Sequence, residues 1–146
     1  MFDGDYVGSL RAGLEPHVAE MVSFVGERPY REMVEHYRRA DIFVCPSVWN
    51  EPFGLPVVEA MACGLPVVAA RSGAIGEIVT HGETGLLVER GSATELADAM
   101  LALLSDGSRR ESMGRAGRAR VVDAFSWERV VEDLESLYDG AARPGS

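Results

Sequence analysis

Residues 50–68 read NEPFGLPVVEAMACGLPVV and carry the most informative pattern of the chain. It places Glu51 and Glu59 eight residues apart around a Phe53-Gly54 pair, and the pattern after Gly54 is helical. Gly64 ends that helix and an apolar strand follows. One carboxylate therefore precedes a helix and the other lies inside it, with the free N–H groups of the helix start between them.

The predicted start of this helix is suited to binding an anion. Pro52 and Pro56 frame it, and proline is tolerated in a first turn because those N–H groups have no partner inside the helix. The backbone amides of Phe53, Gly54 and Leu55 can then donate to an anion, which the helix dipole favours by about 0.3–1 kcal/mol. Gly54 has no side chain, so a ligand can approach the backbone closely.

The spacing of the two glutamates predicts what is bound. Glu59 lies roughly 7–8 Å beyond Gly54 along the helix axis at ~1.5 Å per residue, which is comparable to the step from a diphosphate to its ribose. A carboxylate suits the ribose diol because it accepts two neighbouring hydroxyl hydrogen bonds. Glu51 lies at the other end, where a sugar joined to the diphosphate would project. Taken singly, Glu51 also fits a loop acid near a helix start, and Glu59 fits an exposed or paired acid.

Composition limits the function classes. The chain has 146 residues, 47% hydrophobic and 25% charged, and its length predicts one domain. Its net charge of −9 argues against nucleic acid as a partner, which needs a basic surface. No apolar run is long enough to span a bilayer, and the acidic start is unlike a secretory signal, so we expect a cytoplasmic protein without a transmembrane segment.

The metal-ligating residue types show no site pattern. Cys45 and Cys63 lie in apolar segments and are interpreted as small buried hydrophobic residues. The three histidines are scattered without ligand spacing. The sequence therefore predicts no metal site.

Apolar runs that alternate with helical patterns predict an α/β fold whose parallel sheet carries helices on both faces. Ligands of such sheets bind beyond the carboxyl ends of the strands, here in the loops 26–28, 46–53 and 71–74. The predicted strands are residues 22–25, 42–45, 66–70 and 85–88, and the predicted helices before residue 90 are 9–21, one from about Pro29 to Tyr37, 54–62 and 75–80.

The last third of the chain is predicted to be helical. Residues 92–95 and 108–111 both have the capping-box pattern, and a third helix is predicted to start near Ser126. We expect the domain to cover residues 1–139 and residues 140–146 to form a flexible tail. The apolar side of the third helix is predicted to face inward and consists of Trp127, Val130, Val131, Leu134 and Tyr138.

Several of these segments together resemble one enzyme family. Residues 46–47, 51–55, 59–62, 64 and 66–68 resemble the Glu-x7-Glu signature of retaining glycosyltransferases of family 4, GT-B type. The similarity extends from about Val22 to Tyr138. It implies a Rossmann-like parallel sheet with a helical C-terminal extension, the C-terminal, donor-binding lobe of a GT-B enzyme.

The resemblance also implies roles for individual residues. Such enzymes move a hexose from a nucleotide sugar to an acceptor with retention at the anomeric carbon, without a metal, so no cofactor is expected besides the NDP-sugar donor. The resemblance implies that Glu51 contacts the donor sugar and is catalytic, and that Glu59 binds the ribose. The backbones of Phe53, Gly54 and Leu55 would contact the sugar and the diphosphate. Gly26 and Arg28 would lie near the nucleobase.

The family has a second, N-terminal acceptor lobe, and nothing in this sequence corresponds to it. The start of the donor lobe, with the Arg and Lys that neutralise the diphosphate in this family, has no counterpart either, so residues 1–139 would be a partial donor-binding domain. We therefore expect part of a retaining hexosyltransferase that binds its donor weakly and self-associates through uncovered apolar surface. Acceptor binding, and any peripheral contact with a membrane, would belong to the missing lobe. The main alternative is a catalytically inactive nucleotide-sugar-binding module or a truncated remnant. A sugar-nucleotide epimerase and a dinucleotide-binding oxidoreductase fit less well, the latter because no G-x-G-x-x-G follows a strand.

Overall fold

The computed structural model describes residues 4–141, which form two compact units: one ends at Met33 and the other begins at Val34. Each unit is described by itself. The elements in chain order are α1 (Gly4–Ala12), α2 (Pro16–Ala19), α3 (Tyr30–Arg39), β1 (Phe43–Cys45), α4 (Leu55–Ala62), β2 (Val67–Ala70), α5 (Ile75–Ile78), β3 (Gly85–Val88), α6 (Ala93–Leu104), α7 (Gly107–Ala124) and α8 (Trp127–Ala141).

The second unit is built on a parallel sheet with the order β1-β2-β3. Every residue of β2 and β3 is buried, which agrees with continuously apolar strands covered on both faces. Val68 pairs with Leu86 in the register of the two strands. The core on that face of the sheet consists of Val68, Leu86, Val88, Leu103 of α6 and Met113 of α7.

Arginines of α7 bind the carboxyl ends of three other helices. Arg110 donates to the carbonyl oxygens of Leu103 and Leu104 at the end of α6, at 2.7 and 2.8 Å. Arg118 donates to the carbonyl oxygen of Ala62 at the end of α4, and Arg120 donates to that of Ile78 in α5 at 2.7 Å. These oxygens lack partners within their own helices and carry the negative end of the helix dipole, so cationic donors stabilise them.

α7 also approaches the end of α4 very closely. A Cβ built on Gly114 would lie 2.0 Å from the carbonyl oxygen of Gly64. Gly64 has a φ of 82° and follows α4. Only glycine at position 114 allows this backbone contact between the two elements.

Residues 22–25 are not the strand that their apolar pattern predicts. The segment is irregular, no ladder joins it to another described residue, and Val22 and Val25 are exposed. A short apolar run adopts a strand only where a neighbouring strand satisfies its backbone groups and cover buries its side chains. Neither condition is met within the described part of the first unit.

Two helix starts also differ from prediction. The predicted helix at residues 9–21 is replaced by α1 and α2, since Pro16 starts the second helix and residues 13–15 interrupt the first. α7 is capped by Asp106, whose side chain accepts the Arg109 N–H at 2.9 Å, so the predicted box at residues 108–111 is wrong. The predicted box at residues 92–95 is confirmed in its cap, since the Ser92 hydroxyl accepts the Glu95 N–H at the start of α6, but the Glu95 side chain accepts the Glu89 N–H and not that of Ser92.

The apolar side of α8 is exposed rather than inward-facing. The helix has the predicted start, but Trp127 is 81% exposed and Leu137 is 70% exposed, and the intervening apolar residues are also accessible. An amphipathic pattern shows which side chains would gain from burial, but it does not show that the same chain supplies the cover. We call the exposed residues Trp127, Val130, Val131, Leu134, Leu137 and Tyr138 the α8 stripe.

The α8 stripe leads to a prediction about self-association. We expect the 146-residue chain to form larger species as its concentration rises, because burial of apolar area is favourable by about 25 cal/mol per Å². Leu137→Glu should lower the association constant about tenfold or more, because it places a charge in the stripe. Sedimentation velocity over a concentration series measures this. Equal association by Leu137→Glu and by the control Glu135→Gln would contradict the role of the stripe.

Candidate functional site

The turn before α4 is left-handed and is fixed by packing. Gly54 caps the helix with φ 96° and ψ 47°, and a Cβ at this position would lie 2.6 Å from Cδ1 of Ile75 in α5. Pro56 lies in the first helical turn, as predicted. The N–H groups of Phe53, Gly54 and Leu55 donate to no described oxygen, so the helix begins with donors available to a ligand.

Glu51 lies in the loop after β1, at the carboxyl edge of the sheet, and is half-buried. The hydroxyl of Ser47 donates to its Oε1 at 2.6 Å, and Ser47 itself is only 7% exposed. Cys45 Sγ, at the end of β1, is 3.5 Å from the same hydroxyl oxygen. The side chain of Glu51 is therefore held in place by residues at and just after the end of β1.

The backbone of Glu51 is fixed by the loop after β2. The Ala74 N–H donates to the Glu51 carbonyl oxygen at 2.9 Å. A Cβ on Gly73, which has φ 52°, would lie 2.1 Å from that oxygen. The predicted ligand loops 46–53 and 71–74 thus meet backbone to backbone at the first glutamate, and glycine at position 73 makes the contact feasible.

Glu59 lies in the second turn of α4 and is half-buried. The hydroxyl of Tyr37, on α3, donates to its Oε2 at 2.9 Å. Tyr37 is 5% exposed and meets the ring of Phe43 edge-on, with 5.7 Å between centroids. The sequence pattern predicts only that Tyr37 ends a helix, so its bond to Glu59 is a feature that the pattern does not reveal.

Two further contacts surround the loop. The ring of Phe53 lies edge-on to that of Phe125, with centroids 5.9 Å apart, which holds the turn against the segment after α7. Arg90, in the loop after β3, donates to the side-chain oxygen of Asn50 at 2.8 Å. This places a guanidinium beside the residue that precedes Glu51. The exposed Arg71 is the other arginine in these loops.

A comparison with protein families identifies this arrangement. The family profile described as "Glycosyl transferases group 1" matches residues 13–120, well over half of the chain. The chain belongs to this glycosyltransferase family. The resemblance given by the Glu-x7-Glu segment is thereby confirmed, and so is the predicted fold class, an α/β Rossmann-like parallel sheet of the GT-B type.

Individual glycosyltransferases match over nearly all of this chain but over a minority of their own length. A D-inositol 3-phosphate glycosyltransferase of Corynebacterium aurimucosum is 45% identical over 85% of this chain, which spans 29% of that relative. The solved structure of sucrose-phosphate synthase from Thermosynechococcus elongatus is 36% identical to this chain, with a TM-score of 0.83. The match covers 94% of this chain and 34% of the synthase chain. HepE of Anabaena, solved in complex with UDP, is 31% identical to this chain, with a TM-score of 0.82. The match covers 93% of this chain and 38% of the HepE chain.

The remaining predicted residues of this glycosyltransferase chain lie in the first unit. Gly26 has φ 65° and lines an apolar groove of about 890 Å³ together with Tyr6, Leu10 and Phe24. Arg28 is exposed on the same irregular segment. Gly26 and Arg28 belong to the first unit, whereas Glu51 and Glu59 belong to the second. The nearness of Gly26 and Arg28 to a nucleobase therefore stays a prediction.

Two absences are noted only for the described residues, 4–141. No group of three His, Cys, Asp or Glu side chains there is placed to hold a metal ion. No helix in that range is both long and apolar enough to cross a membrane. The roles of the site residues and the absence of a cofactor stay predictions.

Proposed function

We propose that this chain provides the donor-binding part of a retaining hexosyltransferase, in which α4 and the loop before it bind an NDP-sugar. The observation that supports this most is the arrangement along one segment: Glu51, the unpaired N–H groups at the start of α4, and Glu59 follow one another. Hydroxyl-accepting carboxylates at both ends and anion-binding amides between them match a hexose, a diphosphate and a ribose in that order.

Each part of the segment has a chemical task in the proposed reaction. The acceptor hydroxyl oxygen forms the new bond to the anomeric carbon and loses its proton. The bond between the anomeric carbon and the β-phosphate oxygen breaks, and the leaving diphosphate takes its electron pair and the proton. The amides of Phe53, Gly54 and Leu55 stabilise the negative charge that develops there. Glu51 contacts the hydroxyls of the reacting hexose and is the catalytic residue of this chain, while Glu59 holds the ribose and so fixes the donor along the helix.

The charge of the chain favours weak donor binding. A net charge of −9 repels a diphosphate. The structure adds Arg90 as a candidate cationic contact to the diphosphate, because its bond to Asn50 keeps it beside the loop that contains Glu51. We expect the remaining phosphate contacts to come from the start of the donor lobe, and the acceptor site to come from an N-terminal acceptor lobe.

The name of the corynebacterial relative suggests a first acceptor to test. That relative is a D-inositol 3-phosphate glycosyltransferase and shares 45% identity with this chain. Inositol 3-phosphate is therefore a reasonable first acceptor in a turnover assay, with UDP-glucose and GDP-mannose as donors. Hexose transfer would favour the enzyme over an inactive binding module, and binding without transfer by a protein that includes an acceptor lobe would favour the module.

Removing the charge of Glu59 should weaken nucleotide binding. We expect Glu59→Gln to lower affinity for UDP, GDP or ADP, whichever binds best, by about tenfold or more, since hydrogen bonds to charged groups contribute about 1.5–3 kcal/mol. A two-dimensional NMR titration of the 146-residue chain suits such weak binding. Shifts should concentrate at the amides of Phe53, Gly54 and Leu55.

The matched control is Glu135→Gln, which removes the same charge from the exposed surface of α8. It should bind as the wild type does. If no nucleoside diphosphate shifts the amides at the start of α4, or if both variants bind like the wild type, the proposed function is wrong.

A further inference from the structure

We propose that Ser47 and Tyr37 are positioning residues that orient the two site glutamates, Ser47 for the donor sugar and Tyr37 for the ribose. The inference rests on the proposed function, because it assigns the two supporting hydroxyls to separate parts of the same ligand. It starts from the observation that each glutamate receives one hydroxyl hydrogen bond from a buried residue.

Ser47 fixes the orientation of Glu51. Its hydroxyl is 2.6 Å from Oε1, the short distance typical of a hydroxyl donating to a carboxylate. Because Ser47 is buried directly after β1, water does not readily replace this bond. Oε1 is held from the protein side, and Oε2 remains to accept hydroxyls of the sugar.

Tyr37 does the same for Glu59. Its ring is 5% exposed and packs edge-on against Phe43 at the start of β1, so the hydroxyl has little freedom to move. It donates to Oε2 at 2.9 Å. A carboxylate has about four acceptor positions, so one bond from Tyr37 still leaves enough of them for two ribose hydroxyls.

The two hydroxyls share a physical purpose. A half-buried glutamate side chain that must be ordered by its ligand loses conformational freedom on binding, by about 0.5–1.5 kcal/mol. A bond made before the ligand arrives removes part of that loss. Since Tyr37 contacts the first residue of β1 and Ser47 follows its end, one short strand orients both carboxylates.

A comparison of ribose with deoxyribose tests Tyr37. The wild-type chain should bind UDP more tightly than 2′-deoxy-UDP, or GDP more tightly than 2′-deoxy-GDP if guanine is preferred. Tyr37→Phe keeps the ring and removes the hydroxyl. It should lower affinity for the ribonucleotide about three- to tenfold and affect the deoxyribonucleotide less, because only the 3′ hydroxyl of the latter can bond to Glu59, so the ratio falls. Tyr138→Phe, on exposed α8, is the matched control and should keep the wild-type ratio.

A comparison of donor with nucleotide tests Ser47. Ser47→Ala should lower affinity for UDP-glucose about three- to tenfold and leave UDP unchanged, because only the sugar reaches Glu51. Ser47→Thr retains a hydroxyl and should recover part of the loss. Ser105→Ala removes a hydroxyl that bonds only within α6 and its cap, and should change neither affinity.

The outcomes separate the inference from the proposed function. The inference is supported if Tyr37→Phe weakens only the preference for the ribonucleotide over the deoxyribonucleotide. It likewise requires that Ser47→Ala weaken only the preference for UDP-glucose over UDP. Equal losses for all probes would show that the hydroxyls only stabilise the fold, and unchanged affinities would show that they do not act; either result overturns the inference. If the wild type binds none of these nucleotides, the proposed function fails and the inference fails with it.

Discussion

Gly73→Ala is expected to destabilise the second unit by about 3 kcal/mol or more and to abolish donor binding. The new Cβ would lie 2.1 Å from the carbonyl oxygen and 2.6 Å from the nitrogen of Glu51. Both are backbone atoms that cannot rotate away. Overpacking of this kind costs about 1–3 kcal/mol, and a left-handed conformation costs alanine about 1–2 kcal/mol more.

The predicted relief of this clash is a shift of the loop that contains Glu51. That shift would break the Ala74 to Glu51 hydrogen bond and move the carboxylate from the Ser47 hydroxyl. Urea denaturation measures the stability change, and an NMR titration with UDP-glucose measures the loss of binding. Folded Gly73→Ala protein that binds like the wild type would show that the contact is dispensable.

Gly82→Ala separates backbone strain from the clash. Gly82 also has a positive φ, 84°, but a Cβ there meets no described atom within 4 Å. It should show only the cost of the left-handed conformation, about 1–2 kcal/mol, without any change in donor binding. Similar losses in the two variants would mean that conformation, not contact with Glu51, explains the requirement for Gly73.

Gly114→Ala should have a comparable effect on stability, by about 3 kcal/mol, through a different contact. A Cβ here would lie 2.0 Å from the carbonyl oxygen of Gly64, and α7 would have to move away from the end of α4. The movement would also pull Arg118 from the Ala62 carbonyl oxygen. Thermal denaturation should show a midpoint lower by about 10 °C for a chain of this size.

The control for Gly114→Ala is Gly76→Ala. Gly76 lies inside α5, and a Cβ on it meets nothing within 4 Å. Because alanine is favoured over glycine inside a helix by about 1 kcal/mol, this variant should be slightly more stable than the wild type. A stable Gly114→Ala would show that α7 and α4 can separate at little cost.

Much of the second unit could be predicted because its signals are local. The apolar runs that became β1, β2 and β3 are bounded by glycine or proline, and the helix after Gly54 has both its left-handed cap and its first-turn proline in the sequence. Such features depend on residues a few positions apart. They also sufficed to place Glu51 in the loop and Glu59 in the helix.

The errors at residues 22–25 and in α8 concern contacts between distant segments. The apolar run at residues 22–25 has the composition of a strand, but a strand requires a partner that no local pattern specifies. Residues of the α8 stripe were assigned to the core because periodicity identifies an apolar face without identifying its cover. The bond of Tyr37 to Glu59 is a tertiary contact, and the bond of Ser47 to Glu51 lies within one loop. Residues with hydroxyl groups are too common for the partners of these two to be recognised in a sequence.

The two ends of α4 differ in how freely they can change. Its carboxyl end is confined by α7, through the Arg118 bond and the Gly114 contact, whereas its amino end opens toward solvent at Phe53 and Leu55. Variation near the amino end can therefore alter which donor is accepted without much loss of folding stability. A library aimed at new sugar preference should randomise the exposed positions 53 and 55, and leave Glu51, Gly54 and the glycines beyond the helix unchanged.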